Sequence, residues 1–598
     1  MIILLDAVYK LGKLYLEKEN LDEIEVLLDD KKIGAVVLVQ FIQDSNGNLT
    51  FDKIFQEEYD IKNKVKYLYK RGSSRGTDIT PSCLITDLEK TFNNKFYKWF
   101  ERNNSKKDLF KLLYEEISVN KDDIESNLSK ILDLIDVNDS NILLSIVISK
   151  NDKIYYLNDF SEFKDILHED SLKKYYGSKK IKGDGVCCLC NNEREVYGLV
   201  SNAIGFSFST PEKIGNVPGN NIRNQWKLLP ICSECALYLN AGKKFIEKYL
   251  DFTEFGLRYY VIPNFLFDSQ KGFDKIYNYL KQIESEENFN SENVVKIEKR
   301  LTKLIRRLDD VVELKFLFYQ ASNNAFDILA YIESVAPSFL TNLYQSQIEI
   351  ADYDFFHEEN MKLILGNNQE GNFLNIINKN EKFYPCSTNN WYKKFLRDFI
   401  NPFSRKMYID CVVDIISNKK LDYNFLLSKI MNSIRSDWRK EENKYEVYIS
   451  VLKSLMLFIL LNNLKIMKGG NFMNSGNEFS IDLILNSPDK KSTFLLGVLT
   501  RKLMNIQYKE LKSTPFYNKL WGLSLDQKKI HKLYPMVINK LREYGAGYMI
   551  NLEEEISLNL AKAENNWKLN RDETSYYFVL GFTLPNYDKS KNGEEINE

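Results

Sequence analysis

Histidine is nearly missing from this chain. Only His168, His357 and His531 occur among 598 residues. None sits in an H-E-x-x-H pattern and none is followed by Asp, which excludes the common imidazole-based metallohydrolase and nuclease signatures. A P-loop, a G-x-G-x-x-G turn and a G-x-S-x-G elbow are also absent, so the usual nucleotide-binding and serine-hydrolase motifs are excluded. Neither sign of charge is in excess, since the formal net charge is −1. Any contact with nucleic acid must then come from local basic patches rather than a global field. The opening Met1-Ile2-Ile3-Leu4-Leu5-Asp6 acquires charge too early for a signal peptide, and the most apolar run, from Ser454 to Leu461, is too short to span a bilayer. The expectation is a cytoplasmic protein with no membrane segment and no catalytic constellation. Asp and Glu are abundant, so a carboxylate-only active site is kept as the alternative.

What is present is cysteine in a pattern. Cys187 and Cys190 have two residues between them, and so do Cys232 and Cys235. That spacing lets one tight turn aim two thiolates at one ion, and two such knuckles complete a tetrahedral four-thiolate zinc site. With no histidine near either pair, the site reads as structural, without the open position of a catalytic zinc. Cys188 is a spare inside the first knuckle, while Cys83, Cys386 and Cys411 are scattered. The competing reading of the pairs is buried cysteine or a redox motif. Clustered cysteine also fits metal binding in a reducing compartment better than a secreted disulfide scaffold.

A chain of this length implies about three to five domains. Hydrophobic residues at 44% support sizeable cores, and 37 Phe with 36 Tyr serve core packing first and base stacking second. The fold class read from the pattern is α+β and multidomain. Residues 1–175 form an N-terminal α/β domain, 176–250 an inserted zinc-knuckle module and 251–400 a mixed α/β region. A helical region over 401–472 leads into a C-terminal helical bundle over 473–598. The opening segment reads as an amphipathic helix through Leu14 and Leu16. Short β-branched or alternating runs predict strands at Ile33–Phe41, Tyr259–Pro263 and Val312–Phe318, and helical spacing recurs from Val294 to Leu308. Linkers are expected at Asn103–Lys107, Glu284–Asn288 and Gly366–Asn372, and the tail from Asp588 onward is charged and expected to be disordered.

Two loops carry chemistry suited to nucleic acid. In the first, Lys70, Arg71, Ser73, Ser74, Arg75 and Thr77 surround Gly72 and Gly76. Cations and hydroxyls pair with phosphate, and glycine lets a backbone approach it closely. The second lies between the knuckles, where Asn220, Asn221, Arg223, Gln225 and Lys227 could read base edges or groove acceptors. The plain alternatives are a solvated turn and an ordinary polar insertion. Arg501, Lys502, Lys509 and Lys512 could line a strand-binding face, but a solvated helix face is the plainer reading of each.

Four stretches together resemble the large subunit of a type I-B CRISPR interference complex, Cascade. They are Tyr67–Asp78; the two knuckles with Leu229-Pro230-Ile231; Tyr259–Pro263; and Phe494–Leu499 followed by Gln507 and Pro515-Phe516. The resemblance implies a non-enzymatic role in antiviral defence. Such a subunit binds the guide RNA complex and target DNA, helps recognise the target-flanking motif while guide pairing reads the rest, contacts the Cascade backbone subunits, and recruits a helicase–nuclease. It also implies a small subunit made by internal initiation. Lys468-Gly469-Gly470 can be encoded by a ribosome-binding sequence ahead of Met473, and helices are expected at 491–510, 527–544, 550–563 and 573–582, with breaks at Pro515 and Gly545. The plain alternative there is a Gly-Gly turn followed by an ordinary Met. The other functional readings are a zinc-stapled nuclease, which would cut alone with metal, and a general zinc-ribbon nucleic-acid adaptor, which would bind without a guide.

Overall fold

The computed structural model describes residues 2–72, 76–135, 141–206, 215, 217–266, 269–286, 312–322, 325–357, 390–440, 444–470, 480–547 and 549–587. They divide into two compact units, Met1–Leu250 with Ala321–Asp327 and Asp251–Gln320 with Ile328–Glu598. The mixed α/β, multidomain character expected from the sequence is observed.

In the first unit, α1 (Ile2–Glu19) and α2 (Glu23–Leu27) precede a five-stranded sheet. Its strands are β1 (Ile33–Gln43), β2 (Leu49–Glu58), β3 (Cys83–Ile85), β4 (Asn141–Lys150) and β5 (Lys153–Tyr156). β1 and β4 run parallel at the centre, with β2 antiparallel on the far side of β1 and β3 and β5 sharing the far edge of β4. The central strands are apolar on both faces, as a covered parallel pair requires. A parallel pair needs a crossover. The helical segment α3 (Leu88–Thr91), a π turn (Phe92–Tyr97) and α4 (Lys98–Asn103), then α5 (Asp108–Val119) and α6 (Lys121–Leu132), supplies it. With α7 (Ser161–Tyr176), these helices cover one sheet face, and Trp99, Phe100, Phe110 and Phe163 pack beneath them. A smaller cluster with Tyr67, Tyr69 and Leu143 covers the other face.

The expected Asn103–Lys107 linker falls between α4 and α5. The chain continues through the hairpin β6 (Lys182–Val186) and β7 (Glu193–Tyr197), the single turn α8 (Val200–Ala203), and α9 (Ser233–Tyr249). α9 packs along α1 at a glycine crossing. A Cβ added at Gly12 would lie 1.8 Å from the Tyr238 carbonyl oxygen, and one at Gly242 would lie 2.2 Å from that of Val8. No side chain fits there, so the helix backbones touch.

Apart from residues 321–327, the second unit holds an antiparallel sheet of β8 (Asp251–Glu254), β9 (Leu257–Phe265), β10 (Val312–Ser322) and β11 (Ala325–Val335), in the order β11-β10-β9-β8. The strands expected at Tyr259–Pro263 and Val312–Phe318 are present here. α10 (Ser269–Glu286) runs into the first residues of the expected Glu284–Asn288 linker. The helical period from Val294 to Leu308 and the Gly366–Asn372 linker lie outside the described residues.

After α11 (Pro337–Ala351) the described residues of the unit form strands at the two-residue pair β12 (Leu421–Asp422) and β13 (Met467–Lys468) alone. Besides a single turn at Ile481–Ile484, its longer helices are α12 (Trp391–Ile400), α13 (Arg405–Ile416), α14 (Tyr423–Arg439), α15 (Lys444–Asn463), α16 (Pro488–Leu511), α17 (Gln527–Glu543), α18 (Ile550–Ala563) and α19 (Arg571–Thr583). The last four match the expected C-terminal helices within about three residues. Their expected breaks also occur, at a 3-10 stretch from Pro515 and at Gly545. The apolar run 454–461 belongs to α15, which is longer than the run suggested. By length and composition α15 could cross a bilayer, yet Val451 to Leu461 are almost entirely buried within the unit.

Candidate functional site

The four paired cysteines converge. Cys187, Cys190, Cys232 and Cys235 place their Sγ atoms within 4.8 Å of one another, and none of the described cysteines forms a disulfide. Local structure explains the convergence. Cys187 and Cys190 sit at the tip of the β6–β7 hairpin. The turn is closed by Cys187 N–H donating to the Asn192 carbonyl at 3.0 Å and by Asn191 N–H donating to the Cys187 carbonyl at 2.9 Å. Asn191 has φ +58, a left-handed conformation that Asn tolerates. Cys232 is the N-cap of α9 and Cys235 lies in its first turn, so both thiols meet the positive end of a helix, which favours thiolate. The second knuckle is stitched to the first hairpin through backbone. Tyr197 N–H donates to the Ile231 carbonyl at 2.8 Å, and Cys188 N–H to that of Pro230 at 2.8 Å.

The donor set fits a metal ion. The Cys190–Cys232 sulfur separation is 3.9 Å. A tetrahedron with metal–sulfur bonds of about 2.3 Å has edges of about 3.8 Å. Four thiolates cannot ionise together unaided. Hydrogen bonding from Cys232 and Cys235 holds Cys187 well below the usual thiol range, while the same contacts push Cys232 up to about 11 and Cys235 far higher. A dication would relieve that conflict by binding all four as thiolates. Cys188 stands outside the cluster, its thiol pushed up to about 11 by burial.

A feature that sequence reasoning missed packs beside the cluster. Trp226, in a 3-10 stretch (Ile222–Leu228), lies on the glycine face of β6. A Cβ at Gly183 would sit 2.5 Å from its ring, and one at Gly185 would sit 2.9 Å away. The period-two glycines are the signal for a large side chain stacked there, but their partner lies some forty residues downstream. Trp226 thereby pins the end of the inter-knuckle segment to the hairpin.

The candidate nucleic-acid residues are placed unevenly. Asn220, Asn221, Arg223 and Lys227 are exposed, Asn221 capping the 3-10 stretch by accepting from Arg223 N–H at 3.0 Å. Lys227 lies over the Trp226 ring, 5.4 Å from its centroid. Gln225 differs from the expectation of a groove reader: it is 1% exposed, turned inward because Trp226 and its neighbours fold the segment onto the hairpin.

In the first loop, the Arg71 side chain is exposed and Thr77 half-buried. Lys70 forms an ion pair with Asp29 at 2.7 Å. The turn is closed by Asp78, which accepts from Gly72 N–H at 2.9 Å, and Gly72 has no room for a Cβ beside the Thr77 carbonyl. Ser73, Ser74 and Arg75 lie outside the described residues. Arg501 corrects the solvated-face reading of α16: it is buried, donating to the Tyr448 hydroxyl and lying over the Phe582 ring.

Comparison with known families gives three matches in order along the chain. They are to the N-terminal domain of CRISPR-associated protein TM1802 over residues 4–169, its central domain over 184–335 and its C-terminal domain over 392–596. No curated protein matches the chain.

Proposed function

The chain belongs to the CRISPR-associated protein TM1802 family, and from that premise we propose that it is the non-catalytic large subunit of a type I-B Cascade. In this reading it acts in the cytoplasm. It binds the guide RNA complex and target DNA, helps recognise the target-flanking motif and recruits a helicase–nuclease. The observation that carries the reading is the ordered match of all three family domains along one chain. The four-thiolate cluster supports it as the staple of a nucleic-acid-facing loop, and the ion is zinc in a closed, structural site. Exposed Asn220, Asn221, Arg223 and Lys227 are the contacts offered beside that staple. A smaller partner translated from Met473 belongs to the same reading; Met473 lies outside the described residues.

The test is reconstitution. Guide RNA and backbone subunits are assembled with and without this chain, and binding to target duplexes with intact or scrambled flanking sequence is measured. The reading predicts that flanking-sequence preference appears only when this chain is present. The same preference without it would overturn the assignment.

A further inference from the structure

Outside the cysteine cluster, a group of charges gathers where α2 turns into β1. Two consecutive carboxylates, Asp29 and Asp30, face cations from four other segments. Lys70, from the first loop, pairs with Asp29 at 2.7 Å. Lys64, from a 3-10 stretch (Ile61–Tyr67), and Lys244, from α9, share Asp30, the latter at 3.4 Å. Lys174, from α7, donates to the Arg71 carbonyl at 3.3 Å, and the Arg71 side chain stands exposed beside it. Asp78 and Asp170 also face Lys174, but each carries a cation of its own, Lys95 at 3.3 Å and Lys173 at 2.6 Å. Five cations therefore stand against two carboxylates.

We propose that Lys64, Lys70, Lys174 and Lys244, with Arg71, form a seat for a phosphate group. Resting on the function proposed above, that phosphate is one in a nucleic-acid backbone. Cations gathered beyond their counter-charges gain most from a dianion or phosphodiester, and Lys and Arg supply the charge-assisted donors it accepts. The excess is felt inside the group. Burial pushes the Lys244 ammonium down to about 8, with Lys64 and Lys70 adding to the effect against Asp30 and Asp29. Tyr59 faces Asp30 from the other side, and on α9 itself Glu247 is taken by Lys243. The seat also has a consequence for the metal. α9 carries Cys235 at its start and Lys244 nine residues on, so the helix that the knuckles anchor also delivers a cation to the seat.

The test uses the full chain, with labelled duplex DNA, labelled single-stranded RNA and inorganic phosphate as separate probes. Lys174→Gln is an exposed change that leaves the fold intact, and Lys244→Gln removes the half-buried cation. Circular dichroism checks the fold of both. Each variant is expected to weaken nucleic-acid binding about three- to ten-fold and to flatten the log–log salt slope by about 0.9 per lost phosphate contact on duplex DNA. Lys244 binds as the ammonium, so wild-type affinity falls as pH rises from 7 to 9, and Lys244→Gln removes that fall. Phosphate binding lost in both variants, with no binding of DNA or RNA by wild type, keeps the seat and overturns the nucleic-acid reading. Unchanged affinities for all three probes in folded variants overturn the seat.

Discussion

At the residue scale, the candidate metal site rests on four sulfur atoms brought together from opposite ends of an insertion. Cys190→Ser or Cys235→Ser leaves three thiolates. The loss should exceed about 4 kcal/mol, the class of effect expected when a structural metal is lost. Metal content per chain and the denaturant midpoint check this together. A variant that keeps one ion and its midpoint would contradict a ligand role. Arg71 is a separate case, because its side chain is exposed where Lys70 is held by Asp29. Arg71→Ala should flatten the salt slope of nucleic-acid binding by about 0.9 with little change in stability. The ligands were legible because a C-x-x-C pair is a local geometric statement. Gln225 and Arg501 were not: whether a polar side chain on a short helical stretch faces out depends on what packs over it. Trp226 turns one inward, and Tyr448 with Phe582 enclose the other.

At the element scale, paired glycines make two close helix crossings. The α1–α9 crossing at Gly12 and Gly242 supports the helix that carries Cys232 and Cys235. In the second unit, a Cβ at Gly497 would lie 2.1 Å from the Phe578 carbonyl oxygen and one at Gly581 would lie 1.9 Å from that of Phe494, so α16 and α19 touch in the same way. Gly242→Ala or Gly581→Ala should therefore destabilise by about 1–3 kcal/mol through overpacking, even though alanine is the better helix former. Urea unfolding measures it, and a stabilised variant would show that the crossing opens freely. The stretch around Phe494–Phe516 that carries part of the family likeness is thus packing. Gln507 is buried and accepts from Phe516 N–H at 3.2 Å. The C-terminal helices were legible from their period, and β1 and β10 from β-branched or alternating apolar residues, whereas the apolar run in α15 marked only part of that helix. The three-residue β3 was not, since its place is fixed by pairing with β4, not by its own sequence.

At the scale of the whole molecule, the helices after Met473 do not form a separate core. α19 is buried on all sides, with contacts to α14 and α15 as well as to α16. Arg435 pairs with Asp572 at 2.7 Å, Trp438 stacks on Tyr517 at 4.6 Å, and Ser454 meets the Tyr576 hydroxyl at 3.2 Å. A fragment of residues 473–598 expressed alone uncovers that face. It should self-associate or bind a hydrophobic dye, and a monodisperse monomer without dye binding would show that its core closes unaided. The helix positions were legible from the sequence, but the shared core was not, because it depends on contacts between residues 79 to 137 apart in the chain. Membership of a guide-RNA complex is measured most directly by affinity capture of the tagged full chain from cells carrying its own CRISPR array. Sequencing of the bound RNA and mass spectrometry of the bound proteins should return guide RNA together with a backbone-forming subunit, at levels comparable to the chain itself. Recovery of the chain free of guide RNA, together with metal-dependent cleavage of DNA by the purified chain alone, would contradict it.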